Sequence, residues 1–453
     1  MEKENKQNIR DREVKKFEIT KIGKRNASII ILLGIAGQIA WAVENSWFNT
    51  FVYDELTPNP LPIALMVAVS AITATITTLI MGSVSDRTHS KWGRRKPFIV
   101  LGYILWGIVT ALFPTVSFIP IVGIAVVMVI IVDAIMTFFG STANDAAYNA
   151  WITDIGDSTN RNRINSINQA TVLIANLIAL GVAGIIIDAF GYFIFFYILG
   201  GIVSISGLVA GLMIKDKPVP MEERDTSKKV WSDLKESLSI EDIKENRLLY
   251  LLFLNMGLVG IADMIFFPYV FIYMENYLGF SKTLIGIVGL FVIGISTILI
   301  LLLGFLITKI NRKNLLIIFI LLSAMFSFIL AFFTNIVFVT VFYMLYLTFS
   351  MSTGFVRAGW MQDKYPRDSI GKFQGVRLIF MVLIPMVIGP LIGAAIIERF
   401  GTPIVVDGQP GYIPTPPLII ISALMSLLAL IPLALIKKSE GRILFHETRE
   451  NNQ

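Results

Sequence analysis

Runs of about 20 apolar residues recur along this chain, separated by short polar stretches, and twelve of them can be counted. They fall near 27–50, 61–84, 97–115, 120–150, 164–189, 192–214, 248–276, 283–307, 315–333, 337–356, 373–397 and 418–436. Each is long enough to cross the hydrocarbon layer as a helix, and the extra length of the fourth and seventh predicts tilt or extension beyond it. The pattern predicts an all-α membrane protein of twelve transmembrane helices. Residues 1–26 read as a polar tail, 27–214 and 248–436 as two six-helix bundles, 215–247 as a charged linker and 437–453 as a second tail. Within the linker, Trp231, Leu234 and Leu238 share a helical face that suits the membrane surface. The first apolar run is too long for a signal peptide and lacks a small-residue cleavage site, so insertion is expected to rest on that span.

The two bundles repeat. Span 1 aligns with span 7 at an offset of 220, which sets Gly37 on Gly257, Ala42 on Ala262, Tyr53 on Tyr273 and Glu55 on Glu275. The end of span 4 aligns with the end of span 10 at an offset of 209, Trp151 on Trp360 and Asp154 on Asp363. Parallel halves related by an axis along the membrane normal are the arrangement these matches predict.

Composition narrows the class. With 55% apolar and 15% charged residues the chain is not a soluble domain. Its net charge of +6 is spread over short loops rather than one face, which argues against nucleic acid. Lys282 and Arg399 fall on one side, Arg377 within a span and the other 35 basic residues on the opposite side, which places both termini in the cytoplasm. There is no cysteine, and His89 and His446 lie in polar segments, so no metal site or thiol chemistry is expected. No phosphate-binding loop or Ser-His-Asp set is present, and neither enzymatic function nor a cofactor is expected.

The loop from Gly82 to Phe98 concentrates the most chemistry, with Arg87, Lys91, Arg94, Arg95 and Lys96 packed between two spans. Its pattern, Gly82-x-x-x-Asp86-Arg87 followed by Gly93-Arg94-Arg95-Lys96-Pro97-Phe98, resembles the loop between helices 2 and 3 of the major facilitator superfamily. It is most similar to the sugar-cation symporters, the glycoside-pentoside-hexuronide permeases and sucrose transporters. The resemblance implies the major facilitator fold and a cytoplasmic latch made of Gly82, Asp86, Arg87, Gly93, Arg94 and Arg95. In it Asp86 would face the start of helix 11, and the arginines would hold a carboxylate at the end of helix 4, a role Asp154 fits. A weaker echo runs from Gly304 through Thr308 and Lys309 to Arg312 and Lys313.

Glu44, Asp133 and Asp263 lie within spans, where a carboxylate costs about 2.5 to 3.5 kcal/mol and is kept only with a partner or a cavity. The repeat brings Asp263 opposite Val43, beside Glu44, so both halves offer an acid at similar depth. These three are the candidates for carrying a proton. Gln38, Trp41 and Asn45 share one face of span 1, and Asp133 and Asn144 one face of span 4; Asn168, Asn255 and Tyr273 add polar groups on spans 5 and 7. Amides and carboxylates bind hydroxyls, and an indole can stack on a pyranose, so a saccharide fits these residues best. Packing explains Trp41 equally well, and interhelical hydrogen bonding explains Asn45 and Asn168. Arg377 either reaches the interface or compensates a buried acid. The resemblance implies coupling to H+, Na+ or Li+; span 2 lacks the acidic pair of the melibiose-type permeases, which favours a proton over Na+.

The expectation is therefore a monomeric, multi-pass cell-membrane transporter that takes up a disaccharide or glycoside with a proton by alternating access. Its partners are a small sugar, a coupling cation and the lipid bilayer. Export of drugs or metabolites and a non-transporting sugar sensor are the alternatives.

Overall fold

A computed structural model describes residues 23–88, 90–156, 160–215, 240–307, 310–366 and 370–441. His89, His446, Thr308, Lys309 and the 230–238 stretch lie outside them. Long helices dominate: α1 Lys24–Leu56, α2 Pro60–Arg87, α3 Lys96–Phe118, α4 Val122–Ile155, then 161–213, then α7 Arg247–Tyr277, α8 Lys282–Gly304, α9 Arg312–Leu330, α10 Ile336–Gln362, α11 Phe373–Phe400 and α12 Pro417–Ala434. The 53-residue segment would be roughly 80 Å long if continuous, far more than a bilayer. It breaks at Gly191, whose φ of 80° and ψ of 171° only glycine adopts freely, into α5 (161–190) and α6 (192–213). Twelve spans result among the described residues. Asparagines cap three of them: Asn59, Asn311 and Asn335 each accept from the backbone N–H two residues on.

On α2, Ile72, Ile76 and Ile80 turn outward, while Ala64, Ala68, Ser70, Ala71 and Thr75 face the protein. The halves repeat in detail. Lys96, opening α3, donates to the Ile214 carbonyl at the end of α6 at 3.2 Å, and Lys313, opening α9, donates to the Ile436 carbonyl beyond α12. Arg94 pairs with Asp154 at 2.7 Å in the first half, and Arg312 with Asp363 at 2.6 Å in the second. α5 packs on α8 and α2 on α11, which joins the halves.

One element departs from the all-α reading. Between α11 and α12, β1 (Thr402–Val406) and β2 (Gln409–Ile413) form an antiparallel hairpin at the end opposite the basic loop.

Candidate transport site and gates

Helix α1 is regular only as far as Glu44. Asn45 donates through its side chain to the Trp41 carbonyl at 2.7 Å and Ser46 to the Ala42 carbonyl at 2.6 Å. Side chains that take up helical carbonyls compete with the ladder, and the helix restarts at Trp47. Glu44 thus sits at a break in a buried helix. Its Oε1 accepts from Ser70 of α2 at 2.8 Å and from Thr137 of α4 at 3.1 Å, and the two hydroxyl oxygens lie 2.6 Å apart. Asp133, one turn before Thr137, is 1% exposed, and its charge and that of Asp145 act on Glu44. Among the described residues Glu44 Oε2 and Asp133 Oδ1 have no hydrogen-bond partner. The two buried acids lie around one pair of hydroxyls, and among the described residues no basic side chain pairs with either; like charges so placed repel, which favours the neutral form of one of them.

Beyond this node α4 widens into a π-helical stretch, Ser141–Tyr148, a distortion common at functional sites. It brings Asn144 and Asp145 inward; the Asn144 amide donates to Asp145 at 3.1 Å, and the Trp41 indole lies near the same carboxylate. Trp41 also packs on Trp106, with ring centroids 4.9 Å apart.

The second half has its own node. Asp263 accepts from Tyr346 at 2.7 Å and from Ser350 at 3.2 Å, both on α10. Arg357, a turn or two further along α10, is buried, donates to Asn255 Oδ1 at 3.0 Å, and lies within electrostatic reach of Asp263. Asn255 in turn donates to the Ala429 carbonyl at 2.8 Å, which fixes the guanidinium against α7 and α12.

The remaining candidates are placed as follows. Gln38 is half-buried on α1. Asn144 is buried and accepts from the Tyr103 hydroxyl at 2.9 Å. Asn168 Oδ1 lies 3.4 Å from the Tyr148 hydroxyl, which donates to the Ile30 carbonyl at 2.8 Å. Tyr273 is ten residues beyond Asp263, roughly 15 Å along the helix, and stacks on Tyr277 at the far end. The structure groups Trp41, Glu44, Asp133 and Asp145 on one side and Asn255, Asp263 and Arg357 on the other, and leaves Tyr273 apart.

At the basic-loop end Arg95 is 4% exposed and ties α2 to α4: it donates to Ser85 at 2.6 Å and to Asp154 at 3.2 Å and pairs with Asp86. Gly93 takes a φ of 94° in the turn that brings it there. Gly82 faces open space, and Arg87 is exposed. Asp86 pairs with Arg95; the start of helix 11, which the resemblance implies it also faces, has its first side chains outside the described residues.

The far end joins the two halves. Lys282, opening α8, pairs with Asp54 of α1 at 2.9 Å and with Glu275 of α7, and the Tyr192 hydroxyl donates to Asp54 at 2.7 Å. Asp188 at the end of α5 accepts from the Thr283 N–H at 2.6 Å, at the positive end of α8. The Tyr269 hydroxyl donates to the Pro390 carbonyl at 2.9 Å and lies 3.3 Å from the Pro60 carbonyl across the seam, and Trp47 packs on Phe271 with centroids 4.8 Å apart.

The sequence matches the profile of the Major Facilitator Superfamily over residues 30–384. The chain belongs to that superfamily. It is accordingly a multi-pass membrane transporter and not an enzyme. No curated protein matches its sequence. Among solved structures, a mutant of the nucleoside transporter NupG superposes with a TM-score of 0.71 at 14% identity over 91% of this chain and 100% of that one. An inward-facing, occupied bacterial homologue of the human lysosomal transporter Spinster gives 0.64 at 13% over 92% and 96%, and the xylose transporter XylE from E. coli, in a partially occluded inward-open state, 0.62 at 15% over 92% and 99%.

Sequence reasoning missed Arg357 because hydropathy ends span 10 at Val356, whereas α10 runs to Gln362. The signal was present: the offset of 209 that matches Trp151 to Trp360 sets Arg357 on Tyr148, inside span 4. Arg377 is not the compensating cation; it donates to Gln374 at 3.0 Å and to the Met381 sulfur at 3.5 Å.

Proposed function

We propose that this superfamily member is a secondary transporter that carries a saccharide, a disaccharide or glycoside, into the cell with a proton, as a monomer. The reading rests above all on Glu44 and Asp133, two buried carboxyls on separate helices with an unpartnered oxygen each, whose mutual repulsion a proton would relieve. In this scheme the solute binds between 27–214 and 248–436, against Trp41, Gln38 and Asp145 on one side and Asp263 on the other. Protonation of the Glu44 node and the Asp263 node accompanies its entry. The halves then rock, with the 215–247 linker between them and both termini in the cytoplasm. Two structural neighbours carry, by name, a nucleoside and xylose, both bearing a polyhydroxylated sugar. Inward-facing neighbours agree with a far end sealed by Lys282 and with the Arg94–Asp154 and Arg312–Asp363 pairs at the other end, each of which lies within one half.

One observation favours Na+ as a second reading of the coupling ion: Glu44, Asp133, Ser70 and Thr137 bring only oxygen atoms together. Proteoliposome uptake of a panel of labelled mono- and disaccharides tests both. Stimulation by an inward pH gradient at fixed Na+ supports the proton, stimulation by Na+ at fixed pH supports Na+, and no saturable uptake of any sugar overturns the saccharide reading.

A further inference from the structure

The hairpin between α11 and α12 reaches across to the other half. It turns at Asp407 and Gly408, with φ of 51° and 77°, the left-handed pair a two-residue turn needs. With that turn the pairs Val406–Gln409, Ile404–Gly411 and Thr402–Ile413 take the hydrogen-bonded register. Pro403 and Pro410 fall at the intervening positions, where a missing N–H costs the ladder nothing. The same alternation points the Tyr412 N–H out of the ladder, and it donates to the Pro58 carbonyl at 3.0 Å. The Tyr412 carbonyl accepts from the Tyr53 hydroxyl, also at 3.0 Å. Tyr53 and Pro58 belong to the end of α1 and the turn into α2.

Contact is close. A Cβ on Gly411 would come within 2.3 Å of the Pro58 carbonyl oxygen, so only glycine lets the strand lie on that turn. The base of the hairpin is fixed to its own half, where Thr415 donates to the Phe400 carbonyl at 2.7 Å and the Gly401 N–H to the Ile397 carbonyl at 2.7 Å. The outer strand is exposed, Val405 by 71%. A rigid outgrowth of the second half is therefore hydrogen-bonded to the first at the end that must part when the site opens outward.

We propose that residues 402–413 form a strap that clips this end shut and has to release Pro58 in every transport cycle, so that its grip sets the share of molecules open to each side. This rests on the alternating-access reading above, and acts through contacts separate from those of Lys282.

The chain has no cysteine, so a single introduced one reports cleanly. Thr50→Cys places it on α1 at a site 1% exposed. In right-side-out vesicles holding the full-length protein, labelling by a membrane-impermeant maleimide should speed up about ten-fold when Tyr412→Pro and Tyr53→Phe remove both hydrogen bonds. Gly411→Val, which pushes the strand off Pro58, should act in the same direction. An unchanged labelling rate in both backgrounds overturns the proposal. A Pro58→Cys/Tyr412→Cys pair, which joins the two backbones already linked by the Tyr412 N–H and keeps that N–H, should when oxidised arrest sugar uptake, and reductant should restore it. Uptake that continues through the closed disulfide overturns the strap and leaves the transport reading standing, whereas a parent protein that moves no sugar while the labelling rates still shift leaves the strap standing and removes the saccharide reading.

Discussion

Thr137 and Tyr346 hold the same place in the two halves: 209 residues apart, each donates its hydroxyl to the acid on the first helix of its own bundle, Thr137 to Glu44 at 3.1 Å and Tyr346 to Asp263 at 2.7 Å. The offset is the one that matches Asp154 to Asp363, and Ser141 and Ser350 share it as well. The duplicated fold thus repeats an acid–hydroxyl contact between the first and fourth helices of each half. What differs is the counter-charge, which the second node has in Arg357 and which, among the described residues, the first lacks.

Tyr346→Phe keeps the ring and removes the donor to Asp263. Accumulation of sugar against a gradient is expected to fall at least several-fold while counterflow exchange persists, since exchange needs no net proton movement. Paired accumulation and counterflow assays on one preparation check this.

Arg357→Met leaves Asn255 Oδ1 without its donor and Asp263 without the guanidinium that acts on it. Breaking such a buried set costs about 3–5 kcal/mol, so thermal stability in detergent should drop clearly. Adding Asp263→Asn should recover part of the loss, and the double-mutant cycle gives the coupling; strict additivity would show that the two residues act independently.

Arg95→Lys keeps the charge but loses the fork that spans Ser85, Asp86 and Asp154. Transport rate should fall with little change in the apparent affinity for sugar, and Asp154→Asn should do the same. A changed affinity with an unchanged rate would place this cluster at the solute site instead of in the gate.

Lys282→Met leaves Asp54 and Glu275 facing each other without the cation that both share. That repulsion should favour opening of the far end and speed labelling of a buried cysteine there, whereas Asp54→Asn, which keeps the Glu275 pair, should have a smaller effect. Maleimide labelling rates from outside distinguish the two.

The spans were legible because the bilayer demands long apolar helices whatever the tertiary contacts, and the Gly191 break coincides with the gap read between the fifth and sixth. Glu44, Asp133 and Asp263 stood out for the same reason, as charges inside apolar runs. Arg357 did not, since it lies beyond the apolar run in a part of α10 buried by protein rather than lipid. The Asp54–Lys282 pair joins residues from opposite halves, and no local pattern foretells it. The hairpin did carry a local signal, Val405-Val406-Asp407-Gly408, within the stretch between the eleventh and twelfth apolar runs, which the span pattern leaves without an element.

The claim on which the account rests is that the buried acids couple solute to a proton, and the most direct measurement is sugar-induced proton uptake by proteoliposomes holding the parent chain, Glu44→Gln or Asp263→Asn. The account predicts alkalinisation of the medium on adding sugar to the parent and its loss in both variants, with sugar exchange retained. Sugar-induced proton movement of parental size in both variants would contradict it.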